Sequence, residues 1–304
     1  MKTMNNSINL TFEEQWSCIS PYIIIDKNFK EIENSISKKI YKDCIKKILL
    51  RKNLKIGQKK FNNRSENFVI NAYNDKWISR DNKTSTEQGA ANLAVTWNSS
   101  RFVVKGSALR KLQTLRIMKL IEKIKPRSVI DIGSGNGERV LQLSCRFPEI
   151  EFTGLELTPG GVETAKNIQS LDKIPDVLVK FSPQKLINLT AHKNAKFVCS
   201  SAKNIPFKDN SFDLVYSSLA LEQMEFIREQ VMKEIFRVSN KYVSFYEAFR
   251  DYNKKILHWS YIYSKSYFKG KIDDLRQLGF REIEVLSNIP QKVYMNAVFV
   301  IAKK

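Results

Sequence analysis

The sequence predicts an α/β protein in which seven strands form a doubly wound, mostly parallel sheet, capped by a helical, basic N-terminal extension. Three observations support this fold class. From residue 127 onward, short apolar runs alternate with helical stretches, as they do in βαβ folds. The run 128–132 leads directly into three alternating glycines, and the next apolar run, 151–156, ends on Glu156. A glycine turn between a strand and a helix lets a ligand lie against the backbone, so a bound nucleoside is expected.

The N-terminal third is expected to be an extension, residues 1–106, in front of a nucleoside-binding domain, residues 107–304. Apolar residues at helical spacing predict one or two amphipathic helices over 28–56. The polar segment 57–106 carries large rings such as Phe61, Tyr73 and Trp77, and it is interpreted as an ordered lid over a pocket. A clear amphipathic pattern predicts a helix over 107–125 that Pro126 stops.

The strands of the main sheet are predicted from short apolar runs, with helices in the intervals. The stretch 172–194 is longer than a simple connection needs, so an inserted helix or loop is expected there. A short connection containing Pro290 suggests that the last two strands form an antiparallel pair at the edge of the sheet. The predicted strands are 128–132, 151–156, 196–199, 212–217, 241–247, 281–286 and 294–302.

The bulk composition favours a cytoplasmic protein without a metal site. A chain of 304 residues can bury a full α/β core and still supply a cap. No apolar run approaches the roughly 20 residues of a membrane span, and the first residues lack the apolar core of a signal peptide. The four cysteines and two histidines lie far apart in the sequence, so they predict neither a zinc cluster nor a disulfide framework.

The positive charge lies mainly in the N-terminal part of the chain. Residues 1–127 hold 26 Lys and Arg against 11 Asp and Glu, whereas residues 128–304 hold 25 against 20. Such a basic arm could attract RNA, an anionic lipid surface or a phosphorylated small molecule. The same composition could also follow from bias in the encoding genome, because the lysines are scattered and form no dense tract.

The spacing around the glycines favours S-adenosylmethionine (SAM) over a dinucleotide. A dinucleotide site has the pattern G-x-G-x-x-G, but here the third glycine comes one position early and position 138 is Glu. Asp131 and the turn from Gly133 to Gly137 are expected to hold the amino-acid part of the cofactor. Glu156 is expected to accept hydrogen bonds from both ribose hydroxyls, and Ser201 and Ala202 to border the adenine.

Residues 128–304 resemble the class I (Rossmann-like) SAM-dependent methyltransferase family. The resemblance lies in three stretches: V-I-D-I-G-S-G-N-G at 129–137, G-L-E-L at 154–157, and S-A-K-N-I-P-F-K-D-N-S-F-D-L-V-Y-S at 201–217. It implies SAM as cofactor and S-adenosylhomocysteine as product. The cofactor-binding residues implied by the pattern and the resemblance together are Asp131, Gly133, Ser134, Gly135, Gly137, Glu156, Leu157, Ser201, Ala202 and Ser217.

The sequence also departs from the family pattern. Ser201 stands where many relatives have an acid near the adenine amino group, so that contact is expected to be weaker or supplied by the backbone. Gln223 replaces a histidine of the family's L-E-H-V segment, and therefore no histidine base is available there. Tyr216-Ser217-Ser218 follows the fourth strand instead of N-P-P-Y, which argues against methylation of the amino group of adenine or glutamine.

The function predicted from this resemblance is methyl transfer, by in-line displacement, to an O, N or S atom of a small-molecule acceptor. The candidates for a general base or a positioning group are Tyr216, Glu222, Gln223 and Glu247, which lie near the predicted carboxyl ends of two strands. Two alternatives remain at this stage: an RNA methyltransferase that uses the basic arm, and a non-catalytic protein with this fold. The sequence leaves the acceptor and the oligomeric state open.

Overall fold

The computed structural model describes Ile8 and residues 10–53, 65–78 and 91–304. Parts of the predicted helix 28–56 and of the predicted lid 57–106, among them Phe61, lie outside the described residues. No helix in the described ranges is both long enough and apolar enough to cross a membrane.

A seven-stranded sheet forms the centre of the molecule, as the sequence predicted. Its strands lie in the order β5-β4-β3-β6-β7-β10-β8; the five strands from β5 to β7 are parallel, and β10 pairs antiparallel with both β7 and β8. The antiparallel edge pair is confirmed, although its last strand begins at Val298 rather than at residue 294. The strands are β3 (Ser128–Ile132), β4 (Glu151–Glu156), β5 (Lys196–Cys199), β6 (Phe212–Ser218), β7 (Ser239–Glu247), β8 (Arg281–Leu286) and β10 (Val298–Lys303).

Helices cover both faces of this sheet. Residues that alternate along β10 belong to two separate hydrophobic clusters: Phe299 and Ile301 to one, and Val298 and Val300 to the other. Since neighbouring side chains of a strand point to opposite faces, the two clusters are the two sides of a doubly wound sheet. The helices of the first cluster are α4 (Gly106–Ile124), α5 (Glu138–Arg146), α6 (Pro159–Gln169) and α7 (Asp176–Phe181), and those of the second are α8 (Arg228–Val238) and α10 (Ile272–Gln277).

A second, smaller sheet joins the N-terminal extension to the C-terminal part of the chain. β1 (Asn92–Trp97) and β2 (Ser100–Lys105) form a hairpin, and β9 (Gln291–Lys292) pairs with β1. The two turn residues, Asn98 and Ser99, have φ angles of 46° and 65°, as a tight hairpin turn with the twist of the strands requires. This hairpin was not predicted from the sequence.

Three helices complete the described part of the N-terminal extension, and a further helix packs against one of them. α2 is one continuous helix that packs against α9, and the Lys47 ammonium donates to the Tyr263 carbonyl oxygen over 2.7 Å. α3 packs instead against α6, beside the carboxyl ends of β3 and β4. The bounds are α1 (Phe12–Ile19), α2 (Phe29–Asn53), α3 (Glu66–Ile78) and α9 (Ile256–Lys265).

Candidate cofactor and acceptor cleft

The glycine turn after β3 has a conformation that other residues would strain. Gly133, Gly135 and Gly137 have φ angles of 80°, 58° and 73°. A Cβ atom on Gly133 would lie 2.4 Å from the Cβ of Ala220, so there is no space for one. The Gly133 N–H also donates to the Leu155 carbonyl oxygen over 2.8 Å, which fastens the turn to the end of β4. The turn is therefore a fixed, open backbone surface at the carboxyl edge of the sheet.

Glu156 lies at the end of β4 and faces this turn. It is 8% exposed, and its Oε2 accepts a hydrogen bond from the Gly135 N–H over 2.9 Å. Its Oε1 accepts from the N–H of Thr158 at 2.9 Å and from the Thr158 hydroxyl at 2.7 Å. The carboxylate thus braces the glycine turn, a role that the sequence did not indicate. A carboxylate has about four acceptor sites, so these three bonds leave room for a ligand hydroxyl.

Asp131 and Tyr216 are buried neighbours on adjacent strands. They are register partners between β3 and β6, and they are 3% and 1% exposed. Burial raises the pKa of Asp131 to about 6 and raises the pKa of Tyr216 well above its ordinary value. Asp131 lines the cleft, whereas Tyr216 packs into the hydrophobic cluster on one face of the sheet. Tyr216 is not among the residues that line the two cavities, and its catalytic role stays a prediction.

Glu247 and Ser217 hold the loop that follows β6. Glu247 is fully buried, and its Oε1 accepts from the Ser217 hydroxyl at 2.8 Å, the Ala220 N–H at 2.9 Å and the Leu221 N–H at 3.1 Å. Burial, and secondarily the charge of Glu222, raises the pKa of Glu247 to about 8. These contacts make Glu247 a positioning residue for the loop and leave the prediction that it acts on an acceptor without support.

Glu222 and Gln223 are the two predicted catalytic candidates that reach the cleft. Glu222 lines its larger cavity and Gln223 its smaller one. The Gln223 side-chain amide donates to the Glu222 carboxylate over 3.1 Å. The charge of Glu222 also contributes to the raised pKa of Tyr294, which burial already lifts. Of the two carboxylates among the four candidates, Glu222 is the one that lines the cleft, since Glu247 is fully buried.

The cleft consists of two adjoining cavities of about 130 and 290 Å³ that share Gly133, Gly135, Leu219 and Ala220. Together they reach the size range of small-molecule sites, about 300–1,000 Å³. The smaller cavity is mainly apolar and lies at the ends of β4 and β5, whereas the wall of the larger cavity combines polar and apolar groups in similar proportion. Side chains of the smaller cavity include Val69, Leu157, Ala202, Met224 and Ile227, and those of the larger include Arg110, Thr114, Arg139, Gln142, Ser218 and Glu222.

Helix α3 supplies one wall of the smaller cavity. The spacing of the residues that form this wall was not recognised in the sequence. Glu66, Val69, Tyr73 and Trp77 are spaced three, four and four residues apart, so they share one face of the helix, and all four line the cavity. The Trp77 ring lies 3.0 Å from the position that a Cβ on Gly135 would take. The Asn74 side-chain oxygen accepts from the Gly160 N–H over 2.7 Å, which fixes α3 on the start of α6.

The remaining predicted cofactor residues are distributed around the same cleft. Ala202 and Leu157 line the smaller cavity, and Ser134 lines the larger. The Ser201 hydroxyl donates to the Glu66 carboxylate of α3. Ser217 is 1% exposed, and its hydroxyl donates a hydrogen bond to the Glu247 carboxylate. Arg110, Thr114 and Arg139 were missed because isolated polar residues on helices carry no distinguishing sequence signal. No group of three His, Cys, Asp or Glu side chains in the described ranges could hold a metal ion.

The glycine turn, the Glu156 carboxylate that faces it and the smaller, mainly apolar cavity fit the adenosine and amino-acid parts of SAM. Each of these elements lies at the carboxyl edge of the parallel strands, where such sheets bind ligands. The turn provides backbone N–H groups at the start of α5, and the absence of Cβ atoms at its glycines lets Ala220, Trp77 and Phe197 pack closely against it.

Comparison with known proteins is consistent with this fit. Residues 130–242 match the family described as a methyltransferase domain. The malonyl-[acyl-carrier protein] O-methyltransferase of Laribacter hongkongensis is 29% identical over 113 residues, which cover 37% of this chain and 34% of that protein. The ubiquinone/menaquinone biosynthesis C-methyltransferase of Rickettsia felis is 28% identical over 110 residues, which cover 36% of this chain and 39% of that protein. The matched part thus spans well under half the length of either relative.

Among solved structures, the [4+2]-cyclase SpnF has a TM-score of 0.50 and 16% identity, with coverage of 78% of this chain and 94% of that one. At this identity the likeness shows a shared fold. Because that protein's name describes a cyclase, the fold alone does not determine the reaction.

Proposed function

Because the chain is a member of the class I SAM-dependent methyltransferases, we propose that it binds SAM and transfers the methyl group to an O, N or S atom of a small-molecule acceptor. The observation that carries the proposal is the cleft itself: a glycine turn and Glu156 beside the smaller, mainly apolar cavity, which adjoins the larger cavity of about 290 Å³ with its charged side chains. The relatives are named for methyl transfer to oxygen and to carbon, so a carbon acceptor is one outcome of the test below.

Each wall of the cleft has a distinct part in this proposal. Bound SAM would supply an electrophilic methyl group on a sulfonium centre. Asp131 and the glycine turn would hold the amino-acid part, Glu156 the ribose, and Leu157, Ser201 and Ala202 the adenine. The loop from Leu219 to Leu221, which Glu247 holds in place, and helix α3, as a lid, would keep water out of the site.

The polar side chains of the larger cavity would orient the acceptor. Arg139 on its wall is fixed by two neutral side chains of α4: its Nη2 donates to Gln113 over 3.1 Å and its Nε to Thr114 over 3.4 Å. Ser218, at the end of β6, donates to the same Gln113 oxygen over 3.0 Å. Glu222 would accept a proton from the acceptor where the acceptor must lose one. Alignment of this kind can supply much of the rate acceleration of a simple transfer.

The test is incubation of the purified chain with a metabolite extract, separately with total RNA, and methyl-labelled SAM. A mass-spectrometric search then locates the label. The small-molecule proposal predicts label in a low-mass product that is absent with Gly135→Val, in which the added side chain would collide with Trp77 in a strained backbone. Label in RNA alone would show that the acceptor is RNA and not a small molecule, and it would assign the basic N-terminal region to RNA binding. Label in neither fraction, despite SAM binding, would favour the non-catalytic alternative.

A further inference from the structure

Helix α3 places a carboxylate at the end of β5, where the sequence itself has only a serine. Glu66 is the first residue of α3, and its side chain accepts a hydrogen bond from the Ser201 hydroxyl. The same carboxylate forms an ion pair with the Lys203 ammonium. The Lys203 N–H in turn donates to the Ser201 hydroxyl over 3.2 Å, so the three residues form one small network.

Glu66 is one of only two charged side chains on the smaller cavity among the described residues; the other is Glu156. The two carboxylates mark the ends of two neighbouring strands, with Glu156 on β4 and Glu66 above β5. Between and around them the wall is apolar, with Leu157, Ala202 and Met224. An apolar cavity with a carboxylate at each end fits a nucleoside. The sugar hydroxyls can donate hydrogen bonds to one carboxylate, and a donor group on the base can donate to the other.

We infer that Glu66 recognises the exocyclic amino group of the adenine ring of the cofactor. This inference rests on the proposed function and adds to it a specificity-determining residue outside the methyltransferase domain. A carboxylate accepts hydrogen bonds and cannot donate them, so it favours the amino group of adenine and disfavours the carbonyl of hypoxanthine. Its bonds to Ser201 and Lys203 leave acceptor sites free on both oxygens.

Two further contacts make α3 suitable for this role. Asn74, two turns further along the helix, binds the backbone of Gly160, and the Thr164 hydroxyl donates to the Trp77 carbonyl oxygen over 3.3 Å. Both contacts join α3 to α6, on the ribose side of the smaller cavity. The helix is therefore held at its far end by the protein, and its Glu66 end is held by a polar network beside the expected base.

The experiment is calorimetric titration with two ligands, S-adenosylhomocysteine and S-inosylhomocysteine, in which a carbonyl oxygen replaces the amino group. A hydrogen bond to a charged group is worth about 1.5–3 kcal/mol, which corresponds to roughly a 10- to 150-fold preference of the wild type for the adenine ligand. Glu66→Ala is expected to lose most of this preference by weakening only the adenine ligand. Glu66→Gln, which can still accept from Ser201, is expected to bring the two affinities within a few-fold of each other.

Asp75→Asn is the matched control, because Asp75 is an exposed acid on the same helix. It is expected to retain the full preference of the wild type. Thermal unfolding without ligand checks that each variant is folded. Equal binding of the two ligands by the wild type, or an undiminished preference in Glu66→Ala, would overturn the assignment of Glu66 alone. Binding of neither ligand to the wild type would overturn the proposed function, and this inference with it.

Discussion

Glu247 provides a sharp test of how the cleft loop is held. Its pKa is raised from an ordinary value of 4.5 to about 8, chiefly because the carboxyl is fully buried. The folded state therefore keeps a proton that the unfolded chain loses near pH 4.5. The sign follows directly: the contribution to stability is complete below pH 4.5 and is lost as the pH rises towards 8.

The size of the effect follows from the shift. One proton difference changes the free energy of unfolding by about 1.4 kcal/mol per pH unit, which amounts to about 2 kcal/mol between pH 6 and pH 8 and about 3 kcal/mol between pH 6 and pH 9, because the folded carboxyl is itself half deprotonated at pH 8. Asp131 has a pKa of about 6, so its own effect on the pH dependence of the free energy of unfolding falls mostly below pH 6. Glu247→Gln keeps an oxygen for Ser217 and the two backbone donors but carries no proton to lose. It is therefore expected to gain about 3 kcal/mol relative to the wild type when the pH rises from 6 to 9.

The assay is urea-induced unfolding of the wild type and Glu247→Gln at intervals from pH 5 to pH 9. Parallel stability curves for the two proteins would show that the buried carboxyl is not protonated and would refute this reasoning. Glu247→Ala serves as a contrast, because it leaves the Ser217 hydroxyl and the Ala220 and Leu221 N–H groups without their acceptor. It is expected to destabilise at every pH, by about 1–3 kcal/mol for each unsatisfied group.

The other predictions concern the cleft. Glu156→Ala is expected to weaken SAM binding by about 1–3 kcal/mol through loss of charge-assisted hydrogen bonds, measured by calorimetry against the exposed-acid control Glu163→Ala. Gly133→Ala is expected to lower the thermal midpoint and SAM affinity together, because its Cβ would collide with Ala220 at a φ of 80°; unchanged values would show that the turn can relax. Glu222→Gln is expected to lower kcat while leaving SAM affinity within two-fold, and an unchanged kcat would remove Glu222 from the reaction.

The sequence predicted the central sheet well because its strands are buried on both faces. Apolar runs such as 128–132 and 151–156 have the same bounds in the structure. The glycine turn was also predictable, since glycine adopts the positive φ angles there without the steric cost that other residues carry.

What the sequence could not show is how a side chain is oriented and what covers it. Tyr216 and Glu247 end or nearly end strands, as Asp131 and Glu156 do, yet Tyr216 points into the core and Glu247 into a loop of backbone donors. The hairpin of β1 and β2 has a local signal in its turn at Asn98 and Ser99, whereas the pairing of β1 with β9 joins distant parts of the chain, which local patterns do not reveal. The pairing of Glu66 with Ser201 joins residues 135 positions apart, and therefore no motif contains both.

Calorimetric titration of the wild-type chain with SAM and S-adenosylhomocysteine tests the central claim most directly. The cleft geometry predicts that both ligands bind at one site per chain, and that both are lost in Gly135→Val while Glu163→Ala keeps wild-type affinity. Absence of binding by a folded wild-type chain would contradict the assignment of the cleft to this cofactor.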